Sequence, residues 1–355
     1  MCIRDRMKVL IVKTSALGDI VHALPVVNYL HRADAELQID WLVEKPFASL
    51  LEAVRHLRII HTIDTKLWRQ PDRLIDACAG IRDVIWSLRR EKYDIVLDLQ
   101  GNSKSGLFTF FSGAPLRYGF DNGSVREWLN LLATNRLVAI ADCDHHITDR
   151  ALKVAAAAFP GGYVGRNSNS LSVDDVTLSA MKEKIRDAGL KDKKLALIHP
   201  GTTWKTKCLS VEFWMQLVAE LNKNDEIFLL LSWGSKEELA ALQRIKSQAF
   251  ERCLVWPRGE LRELMALLAQ VNIVIGGDTG PVHIAAALGT PTVSFYRATD
   301  RRRNGPRGEN HITFQSSLAC SPCLLKNCPR DDECSNSLGV HEAAEAVNAL
   351  LNKNT

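Results

Sequence analysis

Short apolar runs bounded by turn residues alternate with longer runs of helical period along nearly the whole chain, in two successive series. In the first, Lys8–Lys13, Gln38–Val43, Arg58–Thr62 and Tyr93–Leu99 read as strands, with helices at Ile20–Arg32, Pro46–Arg55 and Asp76–Glu91. In the second, strands at Lys194–His199, Glu226–Ser232, Cys253–Trp256, Val271–Ile275 and Pro291–Tyr296 alternate with helices at Val211–Asn222, Lys236–Phe250, Gly259–Gln270 and Pro281–Leu288. The strand runs are apolar throughout instead of alternating, as in parallel sheets covered by helices on both faces. This predicts an α/β chain of two doubly wound domains facing a central cleft, with ligands beyond the carboxyl ends of the strands.

Pro160–Ser170 is the stretch richest in Gly, Ser and Asn and reads as the linker. The predicted domains are residues 7–165 and 172–340. His341–Asn352, in a terminal segment 341–355, reads as an amphipathic helix expected to pack back across the hinge. With 355 residues, 46% of them hydrophobic, the chain can bury two cores. A formal charge of +4 does not indicate a nucleic-acid partner. Basic residues cluster at Arg301-Arg302-Arg303 with Arg307, at Arg89-Arg90 with Lys92, and at Lys66 with Arg69. Each cluster reads either as solvated surface or as contact for an anionic substrate or membrane surface. No apolar run approaches the roughly 18 residues that span a bilayer. Val9–Val12 is too short for a signal-peptide core, so a cytoplasmic location is expected. Residues 1–6 fit no element, precede a second methionine at Met7, and read as a scar of gene assembly.

Four of the nine cysteines fall in one segment, Cys320-x2-Cys323-x4-Cys328-x5-Cys334. In a cytoplasmic chain this spacing points to metal before disulfides. A structural zinc closed by four thiolates and a tight loop of reduced thiols both remain open.

Chemistry concentrates in loops that follow strands. Gly276-Gly277-Asp278-Thr279-Gly280-Pro281-Val282-His283 joins a strand to a helix, with Pro281 suited to the first helical position. The free N–H groups and positive end of that helix favour a phosphate. Asp278 can accept from sugar hydroxyls and His283 can reach a phosphate. Lys13-Thr14-Ser15-Ala16-Leu17-Gly18-Asp19 follows the first strand. There Asp19 is either a helix cap or a general base for an acceptor hydroxyl. Lys13 can bind an anionic acceptor group, and His22 reads equally as a core residue or a ligand. His199-Pro200-Gly201-Thr202-Thr203-Trp204-Lys205-Thr206-Lys207 brings the hydroxyls and ammonium groups that hold a diphosphate leaving group, with Lys207 the stronger charge. Trp233-Gly234-Ser235-Lys236-Glu237-Glu238 offers a carboxylate to a ribose or base. Neither a Walker A pattern nor a G-x-G-x-x-G dinucleotide fingerprint occurs, which weighs against an ATPase or a dehydrogenase.

The joint occurrence of Lys-Thr-Ser-x-x-Gly-Asp, Thr202-Thr203…Lys207 and Asp278-Thr279-Gly280-x-x-His283 resembles the lipopolysaccharide heptosyltransferases of glycosyltransferase family nine, from about Met7 onward. Its opening is most like the heptosyltransferase I branch. The resemblance implies a GT-B fold of two Rossmann-like domains and inverting transfer of heptose from ADP-heptose to Kdo of lipid A, with no metal in catalysis. It implies work at the inner face of the cytoplasmic membrane, peripherally, on an anionic membrane surface. Asp19 falls on the family's catalytic base. Thr202, Thr203 and Lys207 fall on its diphosphate site, and Asp278, Thr279, Gly280 and His283 on its ADP-heptose loop. Glu238, with Glu237 beside it, would face the ribose or adenine. Lys13, Lys66, Arg69 and Arg126 lie in stretches resembling those that grip the acceptor's phosphates and carboxylates. Two departures bear on the acceptor. Arg297-Ala298-Thr299-Asp300 replaces the usual Gly-Pro-Thr-Asp, and the cysteine segment is more like heptosyltransferase II. The rival expectations are therefore heptosyltransferase II or another member with a different acceptor, then a GT-B nucleotide-sugar epimerase, then a sugar-nucleotide-binding module without catalysis.

Overall fold

The computed structural model describes residues 6–141, 143–162, 171–246 and 251–353. The chain divides into two compact units, Met1–Ser172 and Val173–Thr355. The first unit is built on β1 (Lys8–Val12), β2 (Gln38–Glu44), β3 (Leu57–Ile63), β4 (Ile95–Asp98), β5 (Leu116–Phe120) and β6 (Arg136–Val138), in the order β3-β2-β1-β4-β5-β6. The second has β7 (Lys194–His199), β8 (Ile227–Leu231), β9 (Cys253–Val255), β10 (Ile273–Gly277), β11 (Thr292–Tyr296) and β12 (His311–Gln315), in the order β12-β11-β10-β7-β8-β9. All pairings are parallel. Read from the first strand of each series, the two orders are the same. Strand order reverses between β1 and β4 in one unit and between β7 and β10 in the other. Loops diverge at such a reversal and leave a crevice at the strand ends.

The apolar runs become the most buried strands: Val9, Leu10, Ile11 and Val12 are fully covered, as are Ala196, Leu197 and Ile198. Burying a Val, Leu or Ile side chain to this degree stabilises the fold by about 1.5–3 kcal/mol. The expected Ile20–Arg32 helix is two helices, Leu17–Ala23 and Pro25–Ala33, because Pro25 has no N–H for the preceding turn and starts a helix instead. Pro46–Arg55 shrinks to a 3-10 turn and the four-residue helix Ala48–Leu51. The Lys236–Phe250 helix is described to Lys246, and 247–250 lie outside the described residues.

The helix Ser103–Phe111 and the strands β5 and β6 were not legible. These strands lie at or beside the sheet edge, where polar residues such as Arg117 and Arg136 interrupt the apolar signal. The terminal helix Val340–Lys353 was expected across the hinge. Its apolar face (Ala343, Ala344, Val347, Leu350, Leu351) packs in the second core, beside Phe213, Trp214 and Leu217 of the helix Val211–Leu221. Of the linker residues, 163–170 lie outside the described residues, as do residues 1–5 of the leading segment. No helix among the described residues is long and apolar enough to cross a membrane.

Candidate active site

In the second unit β7 and β10 run side by side, with Gly276 opposite His199. A Cβ on Gly276 would lie 2.8 Å from the His199 carbonyl, so glycine permits the two strands to close. Gly276 and Gly277 are the buried end of β10, with Gly277 against the Thr202–Lys207 loop. The chain then passes through Asp278 to Thr279, the N-cap of the helix Gly280–Leu288. Pro281 is in its first turn, and Thr279 makes no side-chain cap. Such an end attracts an anion.

Asp278 is the centre of the array. Its Oδ2 is 2.7 Å from Lys207 Nζ and accepts from Asn304 Nδ2 at 3.2 Å, while its Oδ1 is 3.0 Å from His283 Nε2. Burial alone would raise the Asp278 pKa. The hydrogen bond and charge of His283 and the charge of Lys207 outweigh it and hold the carboxyl well below the usual range. Lys207 Nζ also sits over the Trp204 ring, 4.9 Å from its centroid, and Lys326 Nζ lies 5.4 Å from the same ring. Asn304, Trp204 and Lys326 were missed. Asn304 is brought in because Asp300 caps the short helix Arg301–Asn304, and a lone N-cap Asp is a weak sequence signal.

Thr202 donates to the Trp204 carbonyl at 2.8 Å and contacts Cys208 Sγ at 3.2 Å, which shapes the loop; Thr203 is exposed beside it. Glu238 folds back over this loop. It accepts from Gly234 N at 2.7 Å, and a Cβ on Gly201 would lie 2.1 Å from its carboxyl carbon. Burial lowers the pKa of neighbouring His199, against the pull of the Glu238 charge. Glu237 is exposed.

In the first unit Asp19 is in the first turn of the helix Leu17–Ala23, whose N-cap is Ala16. It is therefore not the cap. It is partly exposed, and its carboxylate has no hydrogen-bond or ion-pair partner among the described residues. Beside it three loops are stitched together. Gln100 Oε1 accepts from Thr14 N and Ser15 N at 3.1 and 3.3 Å, and Gly101 O accepts from Arg126 N at 3.0 Å. Lys13 is buried and donates to the Leu99 carbonyl at 3.1 Å. Arg126 is exposed. Lys66 is exposed beyond β3, its backbone N–H held by Asp64. The Arg69 side chain lies outside the described residues. His22 is half-buried, packs edge-on against His146 and contacts Thr148. Lys104, paired with Glu44 beside these loops, was also missed.

Cys320, Cys323, Cys328 and Cys334 line one cavity together with Thr206, Arg297 and Asp331. They do not form a metal-ligand set: among the described residues no three His, Cys, Asp or Glu side chains are gathered for one. Cys334 Sγ instead contacts Ser316 Oγ at 3.3 Å. The divergent Arg297 is buried here. It bonds the carbonyls of Cys208 and Asp331 and, at 2.8 Å, the Asp331 carboxylate, and so fastens the cysteine segment to the Lys207 loop.

Residues 81–333 match the model of the family described as glycosyltransferase family 9 (heptosyltransferase). The chain is 31% identical over 328 residues to lipopolysaccharide heptosyltransferase 1 of Pseudomonas aeruginosa, covering 91% of this chain and 87% of that one. It is 29% identical over 312 residues to lipopolysaccharide heptosyltransferase 1 of Escherichia coli K12, covering 87% and 94%. The solved structure of E. coli heptosyltransferase WaaC with ADP matches with a TM-score of 0.76 at 26% identity, covering 98% of this chain and 100% of that one. E. coli heptosyltransferase II, at 18% identity and a TM-score of 0.75, shares the fold. The paired six-stranded parallel sheets with flanking helices are those of GT-B heptosyltransferases.

Proposed function

The chain belongs to glycosyltransferase family 9, and from that premise we propose that it moves L-glycero-D-manno-heptose from ADP-heptose to Kdo of the lipid A inner core. It is a glycosyltransferase of lipopolysaccharide core biosynthesis. The observation that carries the donor assignment is the array of Lys207, Asp278, His283 and Asn304 at the end of a helix whose N-cap side chain makes no bond. A diphosphate brought there meets an ammonium group and a helix N-terminus together. The relative solved with ADP-2-deoxy-2-fluoro heptose supports a nucleotide-heptose as the donor.

In the reaction Asp19 takes the proton of the acceptor hydroxyl as that oxygen attacks the anomeric carbon. The bond from that carbon to the β-phosphate oxygen breaks, and ADP leaves with the electron pair. Attack opposite the leaving group inverts the centre. Lys207 neutralises charge as it develops on the departing oxygen. Thr202, Thr203, Thr279 and Gly280 line the phosphates, and Glu238 faces the ribose or adenine. Lys66, Arg69 and Arg126 supply cations for the acceptor's phosphates and carboxylates, and Lys13 is buried at the end of β1. No step runs through a metal or the cysteine segment. The acceptor is borne on a lipid, so the enzyme works peripherally at the inner face of the cytoplasmic membrane.

The deciding measurement is ADP release from ADP-heptose with and without Kdo-lipid A, followed by mass analysis of the lipid. Acceptor-dependent release with one added heptose is expected. Release only with an already heptosylated core would replace the acceptor, and donor binding without release to any acceptor would overturn the transfer.

A further inference from the structure

The 3-10 helix Trp128–Leu132 is inside out. Its polar residue, Asn130, is fully buried, donating to Asp98 Oδ2 at 2.7 Å and to the Asn102 carbonyl at 3.0 Å. Three of its four apolar residues face water: Trp128 is 66% exposed, Leu129 45% and Leu132 70%, while Leu131 is half-buried. Looseness does not explain this, because the buried Asn130 fixes the helix from within. Its N-terminal flank is fixed as well: Glu127 accepts from Ser103 N and Oγ at 2.8 and 2.6 Å, and its own N–H bonds Gly101 O. A segment pinned by buried polar bonds that presents large apolar side chains outward marks an interaction surface.

The surface continues. Phe110 and Phe111, at the end of the neighbouring helix Ser103–Phe111, are 51% and 39% exposed, and Leu137 on the edge strand β6 is 53% exposed. Arginines border it throughout. Arg117 lies over the Phe110 ring at 5.8 Å while donating to the Ala133 carbonyl, and Arg89 donates to the Phe111 carbonyl. Arg126 and Arg136 are exposed next to the apolar residues in sequence.

We propose that Trp128, Leu129, Leu132, Phe110, Phe111 and Leu137, with their border of arginines, dock the first unit on an anionic lipid bilayer, an assignment whose occupant rests on the proposed lipid-borne acceptor. Charge chooses the occupant. Tryptophan and arginine together suit the junction of acyl chains and anionic headgroups. A second copy packed here about a two-fold axis would set one arginine border against the other. The Trp128–Leu132 segment is also stitched to the Gly101 loop that neighbours Thr14 and Ser15, so docking holds the Asp19 end of the unit at the lipid surface.

The test is cosedimentation of the full chain with phosphatidylglycerol vesicles and with phosphatidylcholine vesicles. Three proteins are compared: wild type, the double variant Trp128→Ser/Leu132→Ser, and Arg136→Glu. Wild type is expected to bind the anionic vesicles, more weakly as salt rises. The double variant is expected to lose about tenfold or more in partitioning, from two apolar side chains no longer buried in lipid. Arg136→Glu should lose less, and only on anionic vesicles. Unchanged partitioning of the double variant with an intact melting transition would overturn the assignment. So would a wild-type dimer that the double variant converts to monomer. Should the double variant misfold, Arg136→Glu decides alone: undiminished binding to anionic vesicles refutes the surface. ADP release with Kdo-lipid A in detergent micelles separates the two ideas. Transfer intact with vesicle binding unaffected by the variants sinks the surface alone, and patch-dependent binding with no transfer sinks the proposed reaction alone.

Discussion

The strand-order reversals of the two units have the same topology and opposite electrostatics. At β7 and β10 the charges are already spent on one another: Lys207 on Asp278, and Asp278 shared with His283 and Asn304. At β1 and β4 the loops are held by hydrogen bonds that Asp19 does not join: Lys13 to a carbonyl, Gln100 to two backbone N–H groups. Asp19 itself has no partner among the described residues. The difference follows from what each end must do. A site for a polyanion needs cations held in place before the ligand arrives, and a buried carboxylate holds Lys207 until a diphosphate competes for it. A base needs the reverse, because a carboxylate already paired with a cation is a poor proton acceptor.

Asp19→Asn is the strongest attempt to break this contrast. It should lower kcat by about 10²–10⁴-fold while leaving ADP affinity and thermal stability at wild-type values. Single-turnover transfer and calorimetric ADP titration read the two sides separately. A variant with most of its turnover would remove Asp19 from the chemistry. Lys207→Met should lower kcat by about 10²–10³-fold. Unlike Asp19→Asn, it should also cost about 1–3 kcal/mol in denaturant unfolding, since Asp278 keeps only His283 and Asn304. Equal stability losses in the two variants would mean that the units are not wired differently.

Much of this was legible because the apolar strands and their following loops are local in sequence. Lys194–His199 is the observed β7, and Asp19, Lys207, Asp278 and His283 all lie within one loop or turn of a strand end. What was hidden depends on contacts distant in sequence. Asn304 reaches Asp278 from 26 residues away, and Gln100 reaches Thr14 from 86. The outward Trp128 and Leu132 look like core residues in sequence. Asn130 facing Asp98, with Glu127 held by Ser103, turns them out. The cysteine spacing left zinc and reduced thiols both open, because spacing does not fix where loop thiols point; Arg297 and Asp331 line the same cavity.

Acid sharpens the contrast through two carboxyls displaced in opposite directions. The folded pKa of Asp278 is depressed below the ordinary value of about 3.9, so its contribution is complete above that pH and is lost as pH falls below it. Burial pushes the Asp98 carboxyl up despite bonds from Gly101 and Asn130. Its contribution is therefore greatest below the unfolded pKa and is lost as pH rises through the folded value. Urea unfolding between pH 6 and about pH 3 should show Asp278→Asn flattening the acid limb. Asp98→Asn should not flatten it. The opposite pattern would reverse the electrostatic assignment of the two units.

Glu238→Gln is the mildest change and the finest probe of the second unit. The amide keeps an oxygen for Gly234 N, so the turn at Gly234 survives and only the carboxylate charge is lost. If Glu238 holds the ribose or base, the donor KM should rise about three- to tenfold with kcat unchanged, the signature of binding shared by ground and transition states. Gly201→Ala reaches the same carboxylate from the other side, because a Cβ there would fall 2.1 Å from the Glu238 carboxyl carbon and displace it. The two variants should raise KM alike and add little in combination, since they act on one contact. A fall in kcat without a change in KM would place Glu238 in the bond-breaking step. The second unit would then do more than hold the donor.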